Sequence, residues 1–151
     1  MTARSCEVLD IARTWIGTPY VHQASLKGVG CDCLGLIRGV YRELFGHEPE
    51  SPPAYSPDWA EETGRETMYE AARRHLPEIP LAQARPGDVV LFRMKARAPA
   101  KHAAILSEDG RIIHAYQGHA VAETAIPPGW NRRMAYAFTW PAEPLSTHPR
   151  D

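Results

Sequence analysis

The chain has no apolar run long enough to cross a bilayer, and its first ten residues lack the basic segment and apolar stretch of a secretory leader. No membrane-spanning helix is expected, and reaching a target outside the cell is expected to depend on something other than a leader. An excess of charge of one sign is also missing: 17 basic against 18 acidic side chains leave a formal net charge of −1. No overall field draws the chain to nucleic acid or anionic lipid, so neither nucleic acid nor membrane is expected as a partner. Cysteines number three, an odd count that argues against a disulfide framework, and Cys31 and Cys33 stand too close in sequence to bridge without strain. Internal repeats are absent. With 44% hydrophobic residues in 151, the composition fits one domain, expected over residues 1–140, followed by a proline-bearing, polar and loose tail over 141–151.

What the chain does have is a cysteine in a suggestive position. Cys33 lies in Gly30-Cys31-Asp32-Cys33-Leu34-Gly35-Leu36-Ile37, after a stretch with Gly17, Pro19 and Gly28 that is too broken for regular structure. A helix is expected to begin at about Asp32, to run over 33–45 and to stop at Gly46. Cys33, Ile37, Val40 and Leu44 recur at helical spacing, which puts the thiol on an apolar stripe facing the core. In the first helical turn, unpaired N–H groups and the positive end of the helix dipole favour a thiolate, so a lowered pKa is expected. A cysteine on an apolar helix face is more commonly a small packing residue, and it becomes a nucleophile only with a base beside it. Cys6, in a first helix marked by Val8, Ile11, Ala12 and Trp15, reads as a packing residue.

The candidate base lies in Lys101-His102-Ala103-Ala104-Ile105-Leu106-Ser107-Glu108-Asp109-Gly110-Arg111-Ile112-Ile113-His114, where two apolar runs flank an Asp-Gly turn signal and predict a hairpin. Register decides its chemistry. A two-residue loop at Asp109-Gly110 sends His102 and His114 to opposite faces. A three-residue loop, Glu108-Asp109-Gly110, with Gly110 left-handed after a type I turn, sets Ala104 opposite His114 and puts both imidazoles on one face. Diagonal neighbours of that kind are about 7–8 Å apart at Cα, within reach of a ring-to-ring hydrogen bond. The second register predicts a relay in which His102 takes the proton of Cys33 and His114 fixes the tautomer of His102. His22, His47, His75, His119 and His148 are assigned no chemistry. Cys31, Cys33, His102 and His114 also form a nominal zinc set, but one residue between the cysteines and a helical position for one of them depart from usual zinc spacing. No metal or other cofactor is expected.

The organisation is helical first and β later. Prolines at 49, 52, 53 and 57 make residues 48–57 a surface loop. Asp58 reads as the N-cap of a third helix over 59–75, weakened by Gly64. Strands are expected at 88–93, 102–107, 111–116, 120–125 and 134–140, pairing antiparallel through short turns. Local basic clusters are read as solvated faces, except that residues 93–101, just before the proposed base, are placed to meet an anionic peptide.

Tyr20 in Gly-Thr-Pro-Tyr, the Asp32-Cys33-Leu34-Gly35-Leu36 run, Arg85-Pro86-Gly87-Asp88-Val89-Val90-Leu91-Phe92, and the two histidine strands together resemble the NlpC-type (NlpC/p-sixty) cell-wall cysteine peptidases. The run from Gly30 to Val40, followed by Tyr55-Ser56-Pro57-Asp58-Trp59, looks like the branch found in tailed phages and gene transfer agents. The resemblance implies a papain-like α+β fold, with the nucleophile helix packed on an antiparallel sheet. It also implies catalytic Cys33, His102 and His114, with Tyr20 and Asp32 at the substrate, its free amino end included. Leu34 departs from the serine often found there. The implied activity is cleavage of peptidoglycan stem peptides next to D-glutamate, and the implied partners are phage-like tail hub or tip proteins. Synthesis in the cytoplasm and incorporation at a particle's tail tip is the expected itinerary, with residues 48–57 and 141–151 as candidate docking segments. A structural tail component with little activity, a free endolysin-like hydrolase, and an acyltransferase or thioesterase on the same scaffold stand as alternatives.

Overall fold

The computed structural model describes residues 1–48 and 64–142; most of the proline-rich connection, the expected cap at Asp58 and most of the C-terminal tail lie outside the described residues. The first helix, α1, spans Ala3–Arg13, and the Thr2 hydroxyl caps it by accepting from the Ser5 N–H. Its buried face is Val8, Leu9 and Ala12, with Trp15 buried just beyond its end. Cys6 points away from this face and is exposed, so it is not the packing residue expected. Its place in the turn is one helical step off the Val8–Ala12 stripe.

Two short strands, β1 (Ser25–Leu26) and β2 (Gly30–Cys31), form a small ribbon that leads into α2 (Cys33–Phe45). Asp32 caps α2, accepting the Gly35 N–H at 2.7 Å, and a left-handed Gly46 ends it. The buried stripe of α2 is Cys33, Leu36 and Val40, together with Gly35, Gly39 and Tyr41. Ile37 and Leu44, expected on that stripe, are half-buried at its flank. The stripe turns because Gly35 and Gly39 let the helix approach its neighbours closely. A Cβ on Gly39 would meet the Trp15 ring, and one on Gly35 would lie on the Ala24 carbonyl.

The third described helix, α3 (Thr67–His75), is shorter at its start than the sequence suggests, because residues 64–66 are not helical and Gly64 is left-handed. Basic residues Arg73, Arg74 and His75 fill its last turn, where the helix dipole favours cations. Tyr69 stacks on Tyr136 of the sheet with centroids 4.0 Å apart.

The sheet contains β3 (Glu78–Ile79), β4 (Val89–Phe92), β5 (His102–Leu106), β6 (Arg111–Tyr116), β7 (His119–Ala125) and β8 (Met134–Phe138), in the order β3-β8-β4-β5-β6-β7. Each neighbouring pair is antiparallel. The five expected strands form, within two residues at either end, while β1, β2 and β3, two residues each, are too short to leave a periodic signal. Alternation gives the sheet two apolar faces. Val89, Leu91, Ala103, Ile105, Ile113 and Ala115 pack with α1 and α2, while Val90, Phe92, Ala104, Ile112 and Ala137 form a separate cluster on the other side. Glu66 ties the β4–β5 connection down: its carboxylate accepts the Ala100 N–H at 2.8 Å, the Tyr136 hydroxyl at 2.7 Å and an Arg93 N–H at 2.8 Å.

The contact at Gly35 can be tested through stability. Gly35→Ala gains roughly 1 kcal/mol of helix propensity but forces a methyl against a backbone carbonyl, an overpacking cost of about 1–3 kcal/mol or more. The net expectation is a destabilised protein, read as a lower denaturation midpoint in urea. An unchanged or raised midpoint would show that the β1 segment yields freely at Ala24.

Candidate active site

Register places the two histidines together. Ile105 pairs with Ile113 and Leu106 with Ile112, so Ser107 faces Arg111 and the loop is Glu108, Asp109 and Gly110. The Ser107 N–H donates to the Arg111 carbonyl at 2.7 Å. The loop length is the one the relay requires, but its backbone differs from expectation: Asp109 is left-handed as well as Gly110. Asp tolerates that region better than most residues.

His102 and His114 are 5% and 7% exposed, and the Nε2 of His102 lies 2.9 Å from the Nδ1 of His114. Beyond His114 the Thr124 hydroxyl stands 3.4 Å from Nε2. Thr124 was not singled out from sequence, although alternation in the strand opposite β6 puts it on the histidine face. One proton arrangement satisfies the chain. If Nδ1 of His102 is to accept a proton, its Nε2–H donates to His114 Nδ1, and His114 carries its own proton on Nε2, toward Thr124.

The imidazoles sit in an aromatic box. Trp130 stands over both, with centroids 5.4 Å from His102 and 5.8 Å from His114, and Tyr116 lies 5.4 Å from His102. Trp130 carries no periodic signal in the sequence. It reaches the site because Gly129, at φ 84°, opens a single 3₁₀ turn over Trp130–Arg133. Burial holds both rings neutral, pushing His102 down to about 3, with the neighbouring His114 adding to the effect. His114 is pushed down to about 4 by burial and then by His119.

Cys33, Tyr20 and His102 line one cleft of about 350 Å³, together with Lys101, Tyr116 and Gln117. Cys33 is the first residue of α2, and His102 the first of β5, so both border the cleft from the ends of their elements. Contrary to the expectation of a lowered pKa, burial pushes the Cys33 thiol up to about 12, and the Asp32 charge adds to this. The backbone N–H groups of Ala103 and Leu34 pull the other way. The helix N-terminus fails to win chiefly because the thiol is buried, and further because Asp32, in the same turn, takes the Gly35 N–H for itself and brings a negative charge. Tyr20 is likewise raised to about 12, by burial and then by Cys33 and Asp32.

Asp32 is only 2% exposed and does not line the cleft; its second oxygen accepts the Gln23 N–H at 2.8 Å. Cys31 is fully buried in β2, and burial raises its thiol to about 12. Leu34 faces a different, apolar cavity with Ile37, Ala71 and Leu76. Among the described residues, no three His, Cys, Asp or Glu side chains converge on a metal position.

The depressed imidazoles make a pH prediction with a definite sign. Their neutral forms belong to the fold, so their contribution to stability is full above the unfolded value of about 6.5 and is lost as pH falls toward 4 and 3. Glu123, held at about 2 by Arg13 and then by the Ser107 hydroxyl, adds its own loss only below 4.5. The urea midpoint should therefore fall between pH 6.5 and 4.5, and His114→Gln should flatten that limb. A flat wild-type profile in this window would mean that the imidazoles protonate in place. For the thiols, in a Cys6→Ser background, iodoacetamide should label Cys33 and spare buried Cys31, and the rate should climb with pH through 9 without an acidic plateau. A plateau below pH 6 would instead reveal a preformed thiolate–imidazolium pair.

The NlpC/P60 family model matches residues 17–138, a span that contains Tyr20, Asp32, Cys33, His102 and His114. Gamma-DL-glutamyl hydrolase of Bacillus subtilis (strain 168) is 30% identical over 128 residues, covering 84% of this chain; the chain spans 27% of that protein. Among solved structures, the NlpC/p60 domain of the peptidoglycan hydrolase SagA superposes with a TM-score of 0.64 at 23% identity, over 89% of this chain and 97% of that one. An NlpC/P60 family protein from Bacillus cereus ATCC 10987 gives 0.62 at 19% identity, over 88% and 39%. At these identities the two structures speak for the fold, which is the papain-like α+β arrangement the sequence resemblance implied. With the family model matching most of its length, the chain belongs to the NlpC/P60 family.

Proposed function

We propose that this protein is a cysteine peptidase that cleaves peptidoglycan stem peptides next to D-glutamate, with Cys33 as nucleophile, His102 as base and His114 as its orienting partner. The observation that carries the reading is the 2.9 Å bond between two buried, neutral imidazoles, one of which shares a cleft with a buried cysteine. Because His114 occupies Nε2 of His102, Nδ1 is the nitrogen that serves the thiol. With the thiol high and the imidazole low, the resting pair is uncharged, and the proton moves from Cys33 to His102 as the sulfur attacks the carbonyl. The N–H groups of Ala103 and Leu34 face the developing thiolate. His102 then gives its proton to the departing amine, leaving an acyl group on Cys33 that water removes. Tyr20 borders the sulfur. Asp32 serves the substrate's amino end by fixing the loop and helix that frame the cleft. The choice of a D-glutamyl bond is supported by family membership and by a relative named for γ-glutamyl hydrolysis.

We also propose carriage at a phage-like tail tip, supported by the Gly30–Val40 and Tyr55–Trp59 runs. Mass spectrometry of washed particles from producing cells should detect the chain; its presence solely in the soluble lysate would favour a released hydrolase.

Activity is tested by incubating the protein with purified muropeptides and identifying the products by mass. The wild type should release fragments cut at a D-glutamyl bond, and Cys33→Ala should release none. His102→Ala should lose about 10²–10⁴-fold in turnover, whereas His114→Gln, which keeps a hydrogen-bond acceptor, should lose less. Intact muropeptides alongside cleavage of a thioester would move the assignment to acyl transfer.

A further inference from the structure

Trp130 also borders a concavity of about 530 Å³, lined by Arg93, Lys95, Arg132 and Arg133 together with Gly129. Its cations come from two segments remote in sequence, the β4–β5 connection and the turn before β8. Four positive charges converge in a chain whose net charge is −1, so the concentration is local. Arg93 is compensated by Glu66 at 2.8 Å. Arg133 donates to the Met94 carbonyl, a neutral acceptor that leaves its charge in place. Arg132 and Arg133 are exposed at the rim, within the same 3₁₀ turn that points Trp130 at the imidazoles.

One side chain thus borders both places. Trp130 covers His102 and His114 and also walls the basic groove. The direction of the substrate follows from the chemistry: the acid that protonates the departing amine is His102, so the leaving half of the substrate lies on the histidine side of the cleft, toward Trp130. Trp130, packed on His102, links that side to the groove, as do Met94 in the cleft and Lys95 in the groove, consecutive in the chain; the lining of the groove selects negative charge.

We propose that the groove formed by Lys95, Arg132 and Arg133 around Trp130 is the subsite for the leaving-group half of the substrate, and that it takes a peptide bearing free carboxylates there. The assignment rests on the peptidase reading for its direction and on the groove itself for its ligand class. Arg132 supplies the exposed, bidentate carboxylate contact. Arg93 is a positioning residue, held by Glu66, the Tyr136 hydroxyl and the Ala98 carbonyl.

The test compares two peptides that are identical except that the carboxylates beyond the scissile bond are free in one and amidated in the other. For the wild type, kcat/KM should favour the free form by up to about fivefold, the upper end for one exposed ion pair, and the preference should shrink at 0.5 M salt. In Arg132→Ala the ratio should fall toward one, and in Arg132→Glu it should reverse. Equal cleavage of both peptides by the wild type overturns the subsite and leaves the peptidase reading intact. If neither peptide is cut, the peptidase reading fails at that bond, and calorimetric titration of Cys33→Ala protein decides the groove separately. Tighter binding of the free-carboxylate peptide that is lost in Cys33→Ala/Arg132→Glu sustains the proposal; equal or absent binding overturns it. Binding of a glycerol-phosphate polymer in place of the peptide would also overturn it, by naming an anionic wall polymer as the occupant.

Discussion

The Asp32 carboxylate joins two pieces of chain that have no regular pairing with one another. One oxygen holds the Gly35 N–H at the start of α2 and the other the Gln23 N–H in the preceding loop, both in a site closed to water. A buried charge persists only when such donors surround it. Everything around Cys33 inherits this arrangement. Cys33 follows the cap by one residue, Tyr20 is bridged to Cys31 just before it, and the close approach at Gly35 keeps the helix against the Ala24 carbonyl. The same charge opposes ionisation of the thiol it positions. Position and acidity of the thiol are therefore coupled with opposite signs at one carboxylate.

The histidine pair is built on different principles. The cap end uses charge surrounded by N–H donors, whereas the histidine end uses neutral rings in an apolar, aromatic enclosure. Neutrality is the condition for a bare imidazole nitrogen to accept a proton, and burial under Trp130 secures it. The two ends are also tied mechanically. Arg13 at the end of α1 reaches Glu123 on β7 at 3.1 Å, and Glu123 accepts the Ser107 hydroxyl next to the hairpin loop, so the helical layer is fastened to the strands that carry the relay.

Much of this was legible in residue order because it follows from local periodicities. The hairpin register, the shared face of His102 and His114, the five longer strands and the start of α2 near Asp32 each rest on spacing or turn chemistry within about fifteen residues. Legibility ended where tertiary proximity took over. The thiol pKa expected from the helix dipole came out with the wrong sign because burial and the cap's own charge outweigh a few N–H dipoles. Cys6 was misplaced because a single helical step separates its face from the core. The start of α3 was misjudged because Gly64 interrupts a pattern that otherwise reads as continuous. Trp130 and Thr124 left no mark, since their role comes from where a 3₁₀ turn and an alternating strand happen to deliver them.

Hairpin loops are ordinarily the part of a domain where evolution inserts and deletes most freely. In this hairpin the number of loop residues, Glu108, Asp109 and Gly110, fixes the face that His114 occupies. Because strand side chains repeat every two residues, one residue more or less would turn Ile113 and Ala115 out of the helical layer and carry His114 through the sheet to the opposite side from His102. The length of the loop thus sets the relative placement of the two histidines, although none of its three residues lines the cleft. A substitution in this turn meets two left-handed positions, Asp109 and Gly110, whereas a change in residue count would move His114, four residues beyond Gly110, to the other face.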